Sequence, residues 1–125
     1  MKEDTFFADI IGKIRFEDKF TDDEERFGIN RLETEDGGVE FVRLYKDTKY
    51  KPHIHDKASA KFIFLVGTGE AILDEEPVLY SPGTIIDIPA GVMHGFNHFE
   101  ETIFLSVQSH PIQDRETGEI DIRYE

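Results

Sequence analysis

The chain has 125 residues, 38% of them apolar and 11 of them Phe, and its net charge is −13. That is one domain's worth of chain with enough apolar mass for a core, which excludes a disordered acidic segment, and the charge argues against nucleic acid or anionic membranes as partners. The absence of Cys excludes disulfides, thiolate chemistry and iron–sulfur clusters.

The stretch MKEDTFFADIIGKIRF places acids where a secretory signal needs an unbroken apolar run. No apolar run approaches the roughly 18 residues of a membrane span. A soluble, cytoplasmic protein with one domain over 1–125 is the expectation. Phe6, Phe7, Ile10, Ile11 and Ile14 fall at helical spacing. They allow a short amphipathic helix; the alternative is an edge strand that pairs with a partner subunit. TDDEERFG (21–28) reads as an acidic connector.

From there the chain reads as short strands between turns. GVEFVRLYK (38–46) is rich in strand formers, and AKFIFLV (60–66) is apolar on both faces, as a buried central strand is. GTGEAIL (67–73) restarts after two glycines. LYSPGTIIDIPAG (79–91) holds a Ser-Pro-Gly turn, a β-branched strand and a Pro-x-Gly turn. Asp87 inside IIDI is expected on the outer face. TIFLSVQ (102–108) is a further strand, and IQDRETGEIDIRY (112–124) reads as a hairpin about Glu-Thr-Gly. Short strands at this spacing indicate an all-β sandwich or barrel.

Chemistry concentrates in two places. In KPHIH (51–55), an extended chain sets His53 and His55 on one face, roughly 6–7 Å apart. In PAGVMH (89–94), a turn precedes His94 and can bring it opposite that strand. Three neutral imidazoles on a rigid sheet make an N3 site for Fe, Ni, Zn, Cu or Mn, with coordination positions left open. Around the histidines, Arg43, Lys46, Lys49, Lys51, Lys57 and Lys61 outnumber Asp47 and Asp56. This local positive charge either attracts an anionic small molecule or faces water between strands.

The spacing of these pieces resembles the cupin superfamily. The second cupin motif is matched from Gly83 through Pro89-Ala90-Gly91 to His94, within about 83–98. The first begins at His53 and His55 and closes at Gly67. The resemblance implies a double-stranded β-helix (jelly-roll) barrel, commonly a homodimer, with a divalent metal (Fe, Ni, Zn or Mn) on His53, His55 and His94. Two positions depart from the pattern. Ala60 stands where the family's ligand Glu belongs, and Asn97 comes one position early, so that His98 takes the expected Asn slot.

Losing the Glu leaves the full charge of a divalent ion on three neutral ligands, which favours an anionic added ligand. It also opens a coordination position, or else it marks a barrel with weak metal binding. His98 shares a strand face with His94 and is a candidate for the pocket beside Ala60. Ser106 and Gln108 are candidate polar contacts inside the barrel. Tyr45 and Phe96 are candidate ligand contacts, although aromatic residues so placed more often build the core. His110 is expected at an exposed strand end. Three functions remain open: a metalloenzyme (dioxygenase, isomerase or lyase), a non-catalytic module binding a small molecule, and an oligomeric structural protein with a vestigial site.

Overall fold

A computed structural model describes residues 5–32, 38–114 and 116–124. One helix comes first, α1 (Thr5–Gly12), which resolves the N-terminal alternative in favour of a helix. The strands follow as β1 (Glu17–Phe20), β2 (Arg26–Leu32), β3 (Gly38–Leu44), β4 (Tyr50–Ile54), β5 (Ala60–Val66) and β6 (Gly69–Leu73). Then come β7 (Glu76–Tyr80), β8 (Ile85–Ile88), β9 (His94–His98), β10 (Thr102–Gln108) and β11 (Arg123–Tyr124).

They form two antiparallel sheets. One runs β1-β2-β3-β10-β5-β8 and the other β11-β4-β9-β6-β7. From β3 onward consecutive strands alternate between the sheets, apart from the β6–β7 hairpin, so the chain winds as a double-stranded β-helix. The acidic connector is shorter than expected, because β2 already begins at Arg26. The hairpin expected over 112–124 is reduced to a single bridge, Gln113 with Ile120, and the chain end instead pairs with β4.

Alternation in the sequence decides which faces meet. In β3, Gly38, Glu40, Val42 and Leu44 are buried, while the residues between them are only partly so. Opposite them on β10 stand Gln108, Ser106, Phe104 and Thr102. The apolar members build the core at one end. Phe64 stacks on Tyr80 with ring centroids 4.0 Å apart, and Phe104 sits 4.5 Å from Phe62. Packing of this kind stabilises by about 1.5–3 kcal/mol for each large side chain removed from water. The polar members of the same faces, Glu40, Ser106 and Gln108, lie toward the other end, where the barrel is hollow.

Asp87 faces outward as expected, exposed and 3.4 Å from Lys61 Nζ. His110 is exposed too, bonded to Ser109 Oγ.

Candidate metal centre

His53 lies near the end of β4, His55 just beyond it, and His94 opens β9. The antiparallel register places His53 directly across from His94. Two local features make this pairing possible. Gly95 lets β4 come close, since a Cβ there would meet Pro52 Cγ at 3.0 Å. Gly91 adopts φ 83°, a left-handed conformation that glycine takes without steric cost. Its N–H donates to the His55 carbonyl at 2.8 Å, so the Pro-x-Gly turn is tied to a second histidine of the group.

The three rings are buried and close. Centroid separations are 4.3 Å for His53–His94, 4.9 Å for His53–His55 and 5.0 Å for His55–His94. One ring nitrogen from each lies within 4.8 Å of the others.

Hydrogen bonds fix which nitrogen is free. The Nδ1–H of His53 donates to the Lys51 carbonyl at 3.1 Å, and that of His94 to the Val92 carbonyl at 3.1 Å. The Nδ1–H of His55 donates to the Asp121 carbonyl at 2.6 Å. Each bond selects the tautomer with a lone pair on Nε2. His94 Nε2 is buried without a hydrogen-bond partner. A buried acceptor left unsatisfied costs about 1–3 kcal/mol, and a cation shared by the three nitrogens removes that cost.

Burial also keeps His53 and His94 neutral, as ligation requires. Desolvation, aided by the other imidazoles, holds His53 well below its ordinary range. For His94, burial first and then the charge of His55 lower the pKa to about 4, against a weaker upward pull from the bond to Val92. The donor set therefore fits a divalent transition metal. No carboxylate among the described residues joins the three histidines. Ala60 is buried in the core cluster, paired with Gln108 and Ile88, and supplies no ligand atom.

The histidines open on a cavity of about 460 Å³. Ser106 and Gln108 line it, whereas Ala60, His98, Tyr45 and Phe96 do not. The reasons are specific. His98 lies four residues along β9 from His94 and donates through Nε2 to the Tyr45 carbonyl at 2.8 Å. Tyr45 turns outward, where its hydroxyl bonds Asp18 at 2.9 Å and Arg26 lies 3.9 Å over its ring. Phe96 is packed between Phe62 and Phe104.

The basic run 43–61 does not line the cavity. Arg43 pairs with Glu101 at 2.8 Å, and Lys51 pairs at 2.9 Å with Asp22, itself a lining residue. The cations on the cavity wall are instead Lys19 and Arg31.

Sequence reading missed the remaining wall residues. Glu40 is buried; its Oε2 accepts from Arg31 Nη2 at 3.0 Å and its Oε1 from Gln108 Nε2 at 2.6 Å. A signal existed, because Glu40 shares the parity of Val42 and Leu44 in GVEFVRL. Tyr50 lines the cavity with its ring 5.0 Å from His53. Burial holds its phenol well above the usual range, so it stays neutral. Asp121 carried no sequence signal. Besides the bond from His55, its carboxylate accepts the backbone N–H groups of Asp56, Lys57 and Ala58 at 2.8, 3.0 and 3.0 Å.

The family model of the cupin domain matches residues 40–107, more than half of the chain. The chain belongs to the cupin family. Solved structures agree on the fold. A cupin described as a predicted oxalate decarboxylase from Thermotoga maritima superposes with a TM-score of 0.68 at 15% identity, covering 79% of this chain and 95% of its own. KdgF from a Halomonas species gives 0.63 at 22% identity, covering 72% and 81%. Pac13 from Streptomyces, a nucleoside dehydratase, gives 0.65 at 13% identity, covering 88% and 84%. At these identities the likeness concerns the fold alone. No curated protein matches the sequence. Among the described residues, no helix is long and apolar enough to cross a membrane.

Proposed function

We propose that this cupin holds a divalent transition metal (Fe, Ni, Zn or Mn) on His53, His55 and His94 and uses it to bind and activate a small organic molecule in the adjoining cavity. The observation that carries this reading is the common tautomer. Three separate backbone carbonyls hold three Nδ1–H groups, which leaves three Nε2 lone pairs converging in one buried space. A core that needed only filling would not require this arrangement.

A bound divalent ion would supply Lewis-acid polarisation of a ligand oxygen. The chain itself supplies the rest. Aromatic walls exclude water, Tyr50 offers a neutral hydroxyl beside His53, and Glu40 offers a carboxylate on the other sheet. With Ala60 in the place of the usual ligand Glu, the metal keeps its full charge and an open position, which favours an anionic oxygen donor. The reaction classes this supports are oxidation by O2, isomerisation and lyase chemistry. The second reading, a non-catalytic module, is favoured by the absence of any carboxylate from the histidine group.

Metal analysis of tag-free protein, after growth with Fe, Ni, Zn and Mn supplied together, tests the proposal. About one equivalent per chain is expected for the wild type and essentially none for His94→Ala. Metal-free wild type would sink the proposal. A cytoplasmic homodimer belongs to the same reading; exposed Leu79 and Ile85 support self-association, which size-exclusion chromatography tests.

A further inference from the structure

The cavity carries a polar group on each of its two sheets, with apolar side chains around them. At one pole stand the three histidines and Tyr50. The Tyr50 hydroxyl has no hydrogen-bond partner among the described residues, and its ring packs edge-on against His53. At the other pole stand Glu40, Arg31 and Gln108, on strands of the opposite sheet. Beside Glu40, on the same sheet, Phe27, Ile29, Val42, Phe62 and Phe104 give that wall a mainly apolar surface.

Glu40 is the unusual member. Its side chain is 7% exposed, and its partner Arg31 is 37% exposed. A buried ion pair is weak evidence for stability, because desolvation offsets much of the attraction. It does, however, hold a carboxylate rigidly at the cavity wall. Arg31 fills Oε2 with two hydrogen bonds, from Nε at 3.1 Å and Nη2 at 3.0 Å, whereas among the described residues Oε1 accepts only from Gln108 and has a second lone pair. Glu40 therefore keeps acceptor capacity for a donor arriving from the cavity.

These features specify a ligand. It needs an oxygen acceptor for the histidine pole, where Tyr50 can donate to it. It needs a hydroxyl donor for Glu40. Its middle must be apolar, because a hydroxyl placed against the phenylalanines loses its hydrogen bonds to water and gains none. Facing sheets pack roughly 10 Å apart, so a compact molecule reaches both walls. We infer that the site takes a small carboxylic acid with an apolar or aromatic middle and a hydroxyl at its far end, and discriminates against polyhydroxylated sugars and sugar acids. This rests on the metal reading above and narrows it to a ligand class.

The test is titration calorimetry of zinc-loaded protein with 4-hydroxyphenylacetate, phenylacetate and gluconate, with zinc per chain measured in parallel. The expected result is binding of 4-hydroxyphenylacetate roughly tenfold or more tighter than phenylacetate, as one hydrogen bond to a charged acceptor gives. Gluconate should bind more weakly than either. Replacing the pair together (Arg31→Met with Glu40→Leu) avoids stranding one buried charge. That variant should still take up zinc and should lose the preference for the hydroxyl, so that the two aromatic acids bind with equal affinity. Tyr50→Phe should weaken both aromatic acids alike. Zinc uptake with equal affinities for the two aromatic acids, with tighter gluconate binding, or with no binding of either acid overturns this inference alone. Failure of the wild type to take up zinc overturns the metal reading and this one with it.

Discussion

His55 donates its Nδ1 proton to the backbone carbonyl of Asp121, 66 residues away, at 2.6 Å. The Asp121 carboxylate meanwhile accepts three backbone N–H groups from residues 56–58, just after that histidine. One residue of the C-terminal segment thus clamps both the ring and the loop that carries it. Asp121→Ala keeps the carbonyl that orients the ring but removes the carboxylate that holds the loop, and should lower metal affinity by about 10-fold. Competition against a chelator measures this, with Asp121→Asn expected to fall between. Unchanged affinity in both would show that the loop holds His55 without the clamp.

Acid should destabilise the metal-free fold through the histidines. The pKa of His94 is about 4 in the folded chain, against an ordinary value of 6.5. Between these values the unfolded chain binds more protons than the folded one, so stability rises with pH across that window and falls as pH drops through it. From His94 alone the loss is on the order of 3 kcal/mol between neutral pH and pH 4, and His53 adds to it in the same direction. Urea unfolding of metal-free protein at several pH values checks this. A flat profile would contradict the burial argument. Ordinary imidazoles would release a metal below about pH 6; the lowered values shift release to more acidic conditions.

Restoring a carboxylate at the vacant ligand position is a direct test of Ala60. It is buried on the inward side of β5 with Phe62 and Phe64. Ala60→Glu should tighten metal binding and weaken binding of an anionic ligand, since the added charge neutralises part of the ion's. Overpacking in the core costs about 1–3 kcal/mol, so thermal unfolding is followed alongside. Unchanged affinities for both metal and anion in a folded variant would mean residue 60 does not reach the metal.

Phe64 is fully buried, stacked on Tyr80 and in contact with Phe104 at 5.4 Å between centroids. Phe64→Ala should cost about 3–5 kcal/mol, seen as a lowered urea midpoint. Its side chain belongs to the packed end of the barrel, not to the cavity wall, so metal stoichiometry at low temperature should be unchanged.

The histidine group was legible in the sequence because its determinants are local: HxH on an extended chain, and a Pro-x-Gly turn ahead of His94. The central strands were legible for the same reason, since GVEFVRL and AKFIFLV carry strong strand composition. β1 was not legible, because EDKF has three charged residues before Phe20, is exposed throughout and is a strand only through pairing with β2. The second pole of the cavity depends on register across three strands, Arg31 beside Glu40 beside Ser106, which no local pattern encodes. Tyr45 was harder to place for a related reason, since its hydroxyl bonds Asp18, an acidic partner distant in sequence.

The reach from His55 to Asp121 also bears on the order of folding. Closing so long a loop carries an entropic cost that must be met before the contact contributes anything. Once β4 and β9 are paired, with His53 opposite His94, the gap left to close is short, so the clamp is expected to fasten after those strands register.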